Sequence, residues 1–563
     1  MPSSSSAPAG SAIVWFRKGL RLRDNAPLVE ASKAGVKHVC PIFVIDPHFG
    51  PKHVGINRYN FLLDSLKDLD KQLSKRYRSR LMVLRGKPEE VIGKLLKTGK
   101  PLLSAKPTLI LWEKDTEPYA LKRDAAIIKL AKQNHVEVRT FSGHTLWDVE
   151  QALAKNKGKA PTTNNAMQTL AKALGEPAKP LAIPSKLPPL PPGAKAYDVP
   201  TLKQMGYAGS VQGYLSGGET AGAARMATML KKTSFIRTFK KPQTRSTAYD
   251  PPDTTMLSPY FKFGCVSIRE FYWGLKKVCS GASHSKPPES LLGQIYFREM
   301  AYLMGASIPN FDQQAGNPSC KQIPWAKNPK MLAAWEHGRT GFPYIDAAMR
   351  QLNRVGWMHH LARHAVACFL TRGDLWLSWE QGRDVFDKLL LDADWALNNM
   401  NWLALAGVAP WSPPFFRVYH PVPKMDSALN VKDPEGKFIR EFVPELGKMP
   451  SQYIYAPWTA PMEVQKTAGC IIGKDYPKPM VDHDEVCKAN LLRFKRALSK
   501  APSTGADCDT HGKALRSSIT RCSKAESSTG FSRFGFYQEA ATMEGLNDQP
   551  VSHRQHLDWQ FSA

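Results

Sequence analysis

Two histidines, His360 and His364, are four residues apart and therefore share one face of a predicted helix. Imidazole exchanges a proton near neutral pH, which suits acid–base work on a substrate in a pocket. A metal pair is a second interpretation, but the glutamate of an HExxH motif is missing and no third ligand is evident, so we predict no metal site. Spacing alone favours a third interpretation, two core histidines satisfied by hydrogen bonds.

A polar run at 391–402 places two carboxylates and three amides beside bulky apolar side chains. Buried carboxylates need partners, and Arg298 and Arg363 are the cations that we expect to supply them. One interpretation is a structural ion-pair network. The other is a polar lining for a heteroaromatic ligand that needs both donors and acceptors.

The segment 254–260 has two threonines followed by Ser258 and Pro259, which is typical of the start of a helix. Such a start can hold phosphate through its free N–H groups and the helix dipole. Many helix caps have the same residues, so this signal is weak when taken alone.

Four tryptophans, Trp325, Trp376, Trp379 and Trp402, lie in the second half of the chain. In a helical domain their default role is core packing. A chain of closely spaced indoles would also relay electrons to a redox cofactor. Spacing does not choose between these roles.

The elements that must position these residues differ between the two halves of the chain. Short apolar runs alternate with helical patterns in the first half, which predicts a parallel sheet covered on both faces. No GxGxxG follows the first run, so the ordinary dinucleotide fingerprint is absent. The predicted strands are 13–16, 39–45, 81–84, 108–112 and 136–141, and the predicted helices are 57–75, 88–97 and 120–133.

Five regions follow from changes in composition along the chain. Prolines crowd between 177 and 192, so we predict an extended linker with little helix; the Ser/Thr/Gly-rich end predicts disorder, although its aromatic residues could dock on a partner. The regions are a flexible start (1–11), an α/β domain (12–143), a Pro-rich linker (144–200), an all-α domain (201–500) and a disordered tail (501–563).

Charge is the strongest bulk signal, since the 563 residues carry a net charge of +28. Such a protein attracts polyanions, with nucleic acid as the first expectation and an anionic membrane surface as the second. The sequence contains no run of about 18 apolar residues, so we predict no membrane span. The nine cysteines include no CxxC pair, which argues against a disulfide framework and suits a reducing compartment. We expect a monomer.

Several motifs, read together in order, resemble the cryptochrome/photolyase family from about residue 13 to about residue 490, and within it the (6-4) photolyase and animal-like cryptochrome branch. The resemblance implies a Rossmann-like α/β domain with a parallel sheet, followed by a large all-α domain that binds FAD. The matching segments are 15–25, 217–220, 338–343, 359–369, 371–376, 392–402 and 476–481.

The resemblance also implies positions for the FAD site, with Asn398 facing flavin N5. A neutral amide there can donate or accept a hydrogen bond, which tunes the stable redox state. An antenna chromophore, a folate or a deazaflavin, is implied in the first domain. The implied FAD-site residues are Lys241, Thr254, Thr255, Ser258, Gln294, Arg298, His360, Arg363, Asp392, Ala393, Asp394 and Asn398.

For the chemistry, the resemblance implies light-driven repair of (6-4) pyrimidine lesions in UV-damaged DNA, with an electron from reduced FAD and a proton from histidine. His364 is the implied acid, and His360 helps to set its protonation. Trp402, Trp379 and Trp325 would form an electron relay, with Trp376 as its outer member. Gln294, Phe297, Lys241 and Lys424 are expected to contact DNA.

Three departures from the family pattern affect the expected lesion wall: Phe297 and Ala404 stand where an aromatic tryptophan is usual, and the segment 408–414 is one residue longer. Losing a large ring costs about 1–3 kcal/mol of stacking per base. Trp411 is a guess at a replacement. These changes keep a second function open, a blue-light cryptochrome that signals to a protein partner through its flavin and tail. Cyclobutane-dimer repair is a third, which the two histidines disfavour. Repair or clock roles would place the protein in the nucleus, with the cytoplasm or an organelle as further locations.

Overall fold

The first part of the molecule is a five-stranded parallel sheet. The structure, a computed structural model, describes residues 10–194 and 197–500. The strand order is β3-β2-β1-β4-β5, so the predicted parallel sheet is confirmed, with bounds that move by at most two residues; α1 is an addition to the prediction. The elements are β1 (Ser11–Phe16), α1 (Ala26–Lys33), β2 (His38–Ile45), α2 (Ile56–Tyr77), β3 (Met82–Arg85), α3 (Pro88–Thr98), β4 (Leu109–Glu113), α4 (Pro118–Gln133) and β5 (Glu137–Phe141).

The two faces of the sheet bury different partners because side chains alternate along each strand. On β1, Ile13 and Trp15 belong to the core formed with α3 and α4. Val14 and Phe16 belong to a second core that continues into the helical part of the chain. Both faces are therefore covered, which accounts for the nearly continuous apolar sequence of the central strands.

The region predicted as an extended linker contains two helices, so that prediction is wrong for its first half. These are α5 (Val149–Lys155) and α6 (Asn164–Leu174). Asp148 and Thr163 cap them by accepting hydrogen bonds from Gln151 N and Ala166 N. The crowded prolines begin only after α6 ends, and the chain is without regular structure there. A proline cluster therefore marks where extended chain begins, and not the whole connection.

The remaining described chain is helical, as predicted. A π-helical turn, Phe369–Gly373, directly follows α14. The helices are α7 (Glu219–Lys231), α8 (Thr233–Thr238), α9 (Ser258–Lys262), α10 (Ile268–Cys279), α11 (Leu291–Ser307), α12 (Pro329–Glu336), α13 (Pro343–Val355), α14 (His360–Cys368), α15 (Trp379–Leu389), α16 (Trp395–Leu405), α17 (Lys437–Phe442), α18 (Met462–Thr467) and α19 (His483–Lys500).

Buried charges join the sheet layer to the helical part. Arg21, 1% exposed, donates to the carbonyl of Gly264 at 2.9 Å and to Glu113 at 3.1 Å. Asp24 is fully buried and accepts from the guanidinium of Arg269 at 2.7 Å. Glu219, at the start of α7, accepts from the backbone N–H of Leu22. This set forms a junction clasp between the two layers.

Two predicted regions fall partly or wholly outside the described chain. The tail at 501–563 and most of the flexible start at 1–11 lie outside the described residues. Within the described residues, no helix combines the length and the apolar character that crossing a membrane requires. The seven cysteines described there are all free thiols.

Candidate functional site

A cavity of about 950 Å³ of empty space, open to solvent on one side, lies inside the helical part. Segments far apart in the sequence build it: the turn before α9, the inner faces of α11 and α14, and the start of α16. Every predicted FAD-site residue except Ala393 and Asn398 lines it.

A smaller cavity of about 420 Å³ adjoins the first. Ala393 and Asn398 line it, together with His364 and Trp402. The two cavities share four lining residues: His360, Arg363, Asp392 and Asp394. The structure therefore brings all twelve predicted FAD-site residues and both predicted catalytic histidines around two adjoining cavities.

Asp392 is the anionic centre of this space. Its Oδ2 accepts from Arg363 at 2.9 Å and from the hydroxyl of Ser258 at 2.7 Å, whereas its buried Oδ1 has no hydrogen-bond partner among the described residues. The ion pair confirms one of the two interpretations of the polar run, and the unpartnered oxygen fits the other. An acceptor buried in this way costs about 1–3 kcal/mol unless a ligand satisfies it. Because Ser258 donates to Asp392, the hydroxyl of Ser258 is oriented towards this carboxylate.

Asp394 is held rigidly at the start of α16. Its Oδ1 accepts from the N–H groups of Ala396 and Leu397, and its Oδ2 accepts from the hydroxyl of Tyr302. Burial alone would raise its pKa, but nearby His144, 3.8 Å away, and the charge of Lys18 hold the pKa of Asp394 well below its usual range. These contacts therefore favour the ionised carboxylate at neutral pH.

Lys241 supplies a buried cation to the large cavity. It is 6% exposed, and burial followed by repulsion from Arg363 lowers its pKa to about 7. Thr254 and Thr255 line the same cavity, so this end offers an ammonium group, hydroxyls and backbone groups to an anionic ligand. The predicted DNA contact through Lys241 is not supported, because the side chain is buried in the cavity wall.

The two histidines on α14 are both buried and lie edge to face, with ring centroids 5.9 Å apart. Among the described residues, neither ring nitrogen of His360 has a hydrogen-bond partner. Burial, with Lys241, His359, His364 and Arg363 nearby, lowers the pKa of His360 well below its ordinary value, so the ring is neutral. A neutral imidazole with unused donor and acceptor sites can bind a ligand, and this overturns the core interpretation that spacing alone favoured.

Asn398 and His364 reach the smaller cavity from α16 and α14. The amide nitrogen of Asn398 donates to the carbonyl of Arg383 at 3.1 Å, which fixes the amide and makes Oδ1 the end directed at a ligand. His364 Nδ1 lies 3.3 Å from the hydroxyl of Tyr419. Tyr419 comes from a distant loop that gave no sequence signal. Asn401 also lines this cavity. It lies one helical turn after Asn398, so helical spacing could have predicted it as a site residue from the sequence.

The structure shows contacts of the predicted relay tryptophans in two places, one of which is the wall of the smaller cavity. Trp402 lines it, and α15, which carries Trp379, packs closely on that indole at Gly382. Trp325 and Trp376 are in contact, with ring centroids 4.9 Å apart.

The order of exposure differs from the prediction. Trp376, expected to be outermost, is only 4% exposed because Phe494 and Arg493 of α19 cover it at 6.3 and 6.0 Å. Trp325 is half-buried and thus the more accessible indole. Trp335 contacts Trp402 at 6.2 Å and was not predicted.

Of the remaining residues that we expect to contact DNA or the lesion, two can meet a substrate and two are buried. Gln294 lines the large cavity and Lys424 is exposed, so both can meet a substrate. Phe297 is 1% exposed within the helical core, which does not support a DNA contact. Trp411 is likewise buried, donates to the carbonyl of Met400 and lines neither cavity, so it does not replace the missing aromatic.

A third cavity, about 1,100 Å³, opens where the sheet layer meets the helices, and the sequence gave no contact residue for it. It combines aromatic walls with a mixed charged rim, in which Lys18 pairs with Asp115 at 2.9 Å. Its main side chains are Trp15, Arg17, Lys18, Asp46, Asp115, Tyr119, Arg123, Lys262 and Trp395.

The absence of a metal site stays a prediction. Away from the three cavities, His420, His483 and Asp484 have donor atoms that all lie within 4.8 Å of one another. His483 Nδ1 is 2.6 Å from Asp374, a carboxylate that is 3% exposed.

A parallel α/β layer joined to a helical body with a deep cavity of buried acids, cations and neutral histidines defines a two-domain nucleotide-cofactor protein. Two family models match the chain: "DNA photolyase" over residues 12–185 and "FAD binding domain of DNA photolyase" over residues 291–496. The second match spans α11 to α19 and includes half of the residues that line the large cavity.

Known proteins match over nearly the whole described length. The chain is 44% identical to a (6-4) DNA photolyase of Arabidopsis thaliana, over 89% of this chain and 90% of that protein. It is 42% identical to Cryptochrome-2 of Gallus gallus, over 88% and 85%. An archaeal photolyase structure from Sulfolobus tokodaii, described as holding two FAD molecules and implying a novel light-harvesting cofactor, aligns with TM-score 0.68 and 25% identity, over 86% of this chain and 100% of that one. The chain belongs to the cryptochrome/photolyase family.

Proposed function

We propose that this protein is a light-driven (6-4) photolyase that repairs UV-induced pyrimidine lesions in DNA. The observation that carries the proposal is the pair His360 and His364 on one helix face, where both line a cavity that adjoins the FAD site. The 44% identity to a plant (6-4) photolyase supports the same assignment.

The residues of the large cavity fit FAD. Lys241 and the threonines at 254 and 255 suit a diphosphate, while the unpartnered atoms of Asp392 and His360 suit polar edges of a heteroaromatic ring. Asn398 Oδ1 fits a ring N–H. Reduced FAD held here would supply an electron to the lesion when it absorbs blue light.

The protein itself supplies orientation and a proton. His364 is our choice for the acid, and the contact of its Nδ1 with the Tyr419 hydroxyl orients the ring for proton transfer to the lesion. His360 stays neutral between His364 and the cofactor cavity, which prevents a second buried positive charge beside the acid. The lesion must leave the duplex to reach these groups, and a damaged pair costs less to flip out than an intact one.

Two oligonucleotides test the proposal, one with a single (6-4) lesion and one with a cyclobutane dimer. We expect the reduced protein to restore the first in light only and to leave the second unrepaired. His364→Ala should lower that repair by at least about 100-fold, the usual contribution of a proton donor, while the flavin absorbance stays unchanged. A variant that repairs at the normal rate would exclude His364 as the acid.

A second function, a cryptochrome-type photoreceptor, is supported by a specific observation. Phe297 and Ala404, where the family pattern carries tryptophan, are both buried in the helical core and line neither cavity, so neither adds aromatic surface that would grip a lesion. The 42% identity to an animal cryptochrome agrees. Normal flavin photoreduction without turnover of either lesion would favour signalling to a protein partner over repair, and we would then place its action in the nucleus.

For the cavity at the junction of the layers, we propose a light-harvesting chromophore. Its aromatic walls suit a flat conjugated ring, and its charged rim suits polar substituents. The Sulfolobus structure, with its second FAD, supports the assignment of a second chromophore. The mixed charges are compatible with a folate or a deazaflavin.

A further inference from the structure

A fourth cavity lies on the other side of the wall that closes the large one. It is a cleft of about 1,120 Å³ between α6, α8, α10 and the loop that leads into α11. Leu291, the first residue of α11, lines both this cleft and the FAD cavity. We call it the α6–α11 cleft. Its lining residues are Gln168, Lys172, Ile236, Leu275, Lys276, Cys279, Ser280, His284, Ser285, Lys286, Pro287, Ser290, Leu291, Leu292 and Tyr296.

The cleft has a positive rim above an apolar floor. Lys172, Lys276 and Lys286 are exposed and come from three different elements. None of the lining residues, all of which the structure describes, is acidic. Glu176 lies nearby but pairs with Lys276 at 2.9 Å, so Lys172 and Lys286 are the cations left to attract an anion.

Lys286 is held in place by its neighbour. Its ammonium lies 3.2 Å from His284 Nε2, and His284 Nδ1 lies 2.9 Å from the carbonyl of Ser285. Since a carbonyl can only accept, Nδ1 carries the proton and Nε2 accepts from the lysine. This arrangement orients Lys286 while two of its three N–H groups stay available for another acceptor.

The loop that carries Lys286 is fixed to the proposed substrate site. The carbonyl of Pro288 accepts from the amide of Gln294, which lines the FAD cavity, and the carbonyl of Glu289 accepts from the N–H of Lys241. A ligand in the cleft is thus positioned relative to a ligand in the cavity by a short, hydrogen-bonded segment.

We infer that the α6–α11 cleft holds the sugar–phosphate backbone of DNA beside the flipped lesion. The inference rests on the proposed function. A backbone offers phosphates for Lys172 and Lys286 and apolar deoxyribose for the floor at Leu292 and Tyr296, and the wall that the cleft shares with the cavity at Leu291 places it next to the lesion. Contacts of this kind position the duplex and carry no sequence information.

The test measures DNA binding by fluorescence anisotropy between 50 and 200 mM salt, with the full chain and with both a lesion-bearing and an undamaged duplex. The variants are Lys172→Ala, Lys286→Ala and the double variant. Lys129→Ala, an exposed lysine on α4, is the matched control because it removes the same charge far from the cleft. The flavin absorbance and thermal midpoint of each variant confirm that it is folded.

Each cleft substitution should reduce the slope of log K against log salt by about 0.9, and should weaken binding about eightfold at 0.1 M salt. Both duplexes should lose the same factor, and the double variant should lose about twice the slope. The control should match the wild-type protein. Cleft variants that behave like the control would overturn this inference alone, whereas a wild-type protein that binds neither duplex would overturn the proposed function as well.

Discussion

Lys241 makes ligand binding at the large cavity depend on pH. Its pKa is lowered from 10.5 to about 7, first by burial and then by Arg363. A bound diphosphate would raise it again, so the ammonium strengthens binding fully below pH 7 and this contribution is lost as pH rises from 7 to the pKa of the complex.

We therefore expect the affinity for FAD to fall by up to about tenfold per pH unit above pH 7. Titration of the apoprotein with FAD, followed by flavin fluorescence, measures this. Lys241→Met should bind FAD more weakly at pH 6 but with an affinity that no longer varies with pH. A variant that kept the wild-type pH slope would show that another group is responsible.

Trp402 is expected to be the entry to the electron relay, because it alone among the four tryptophans lines the cavity beside Asn398. Trp402→Phe should slow flavin photoreduction by more than about tenfold and leave FAD bound. The matched control is Trp335→Phe, since Trp335 is equally buried and contacts Trp402 but does not line the cavity. Equal slowing in both variants would argue for a general packing effect and against a directed relay.

Among the elements, α15 makes a very close contact through a glycine. A Cβ on Gly382 would lie 2.2 Å from Cη2 of Trp402, so Gly382→Ala forces the indole or the helix to move. We expect a loss of about 1–3 kcal/mol, seen as a lower midpoint of thermal unfolding.

Gly93→Ala in α3 is the control for helix propensity, because its nearest neighbour is a flexible methyl group of Leu130 at 3.3 Å. This change should be neutral or stabilise by up to about 1 kcal/mol. If Gly382→Ala also left the midpoint unchanged, the close packing of α15 on Trp402 would be wrong.

The sequence predicted elements well where a local signal exists. The strands follow from apolar runs, and most cavity residues follow from the family motifs. The helices α5 and α6 were missed because prolines further along the chain dominated the composition of the region, although Asp148 and Thr163 are ordinary capping residues. The burial of Trp376 was unpredictable because α19, more than 100 residues later, provides the cover.

At the scale of the whole molecule, the sheet layer and the helices together form the third cavity, the one at their junction. If it holds an antenna, the action spectrum of photoreduction should contain a band that FAD lacks. Ala120→Phe, a buried position in its wall, should remove that band and leave the flavin absorbance intact. An action spectrum that equals the FAD spectrum in a preparation with a second bound chromophore would exclude energy transfer.

The junction clasp has a consequence for how the molecule comes apart. Pulling the layers away from each other would strand Arg21, Asp24 and Glu219 without the partners that offset their dehydration, at a cost of several kcal/mol for each broken pair. Unfolding one layer while the other stays folded is therefore costly in free energy. Heat should therefore collapse both in a single cooperative event, and a fragment cut between them should lack a stable fold of its own.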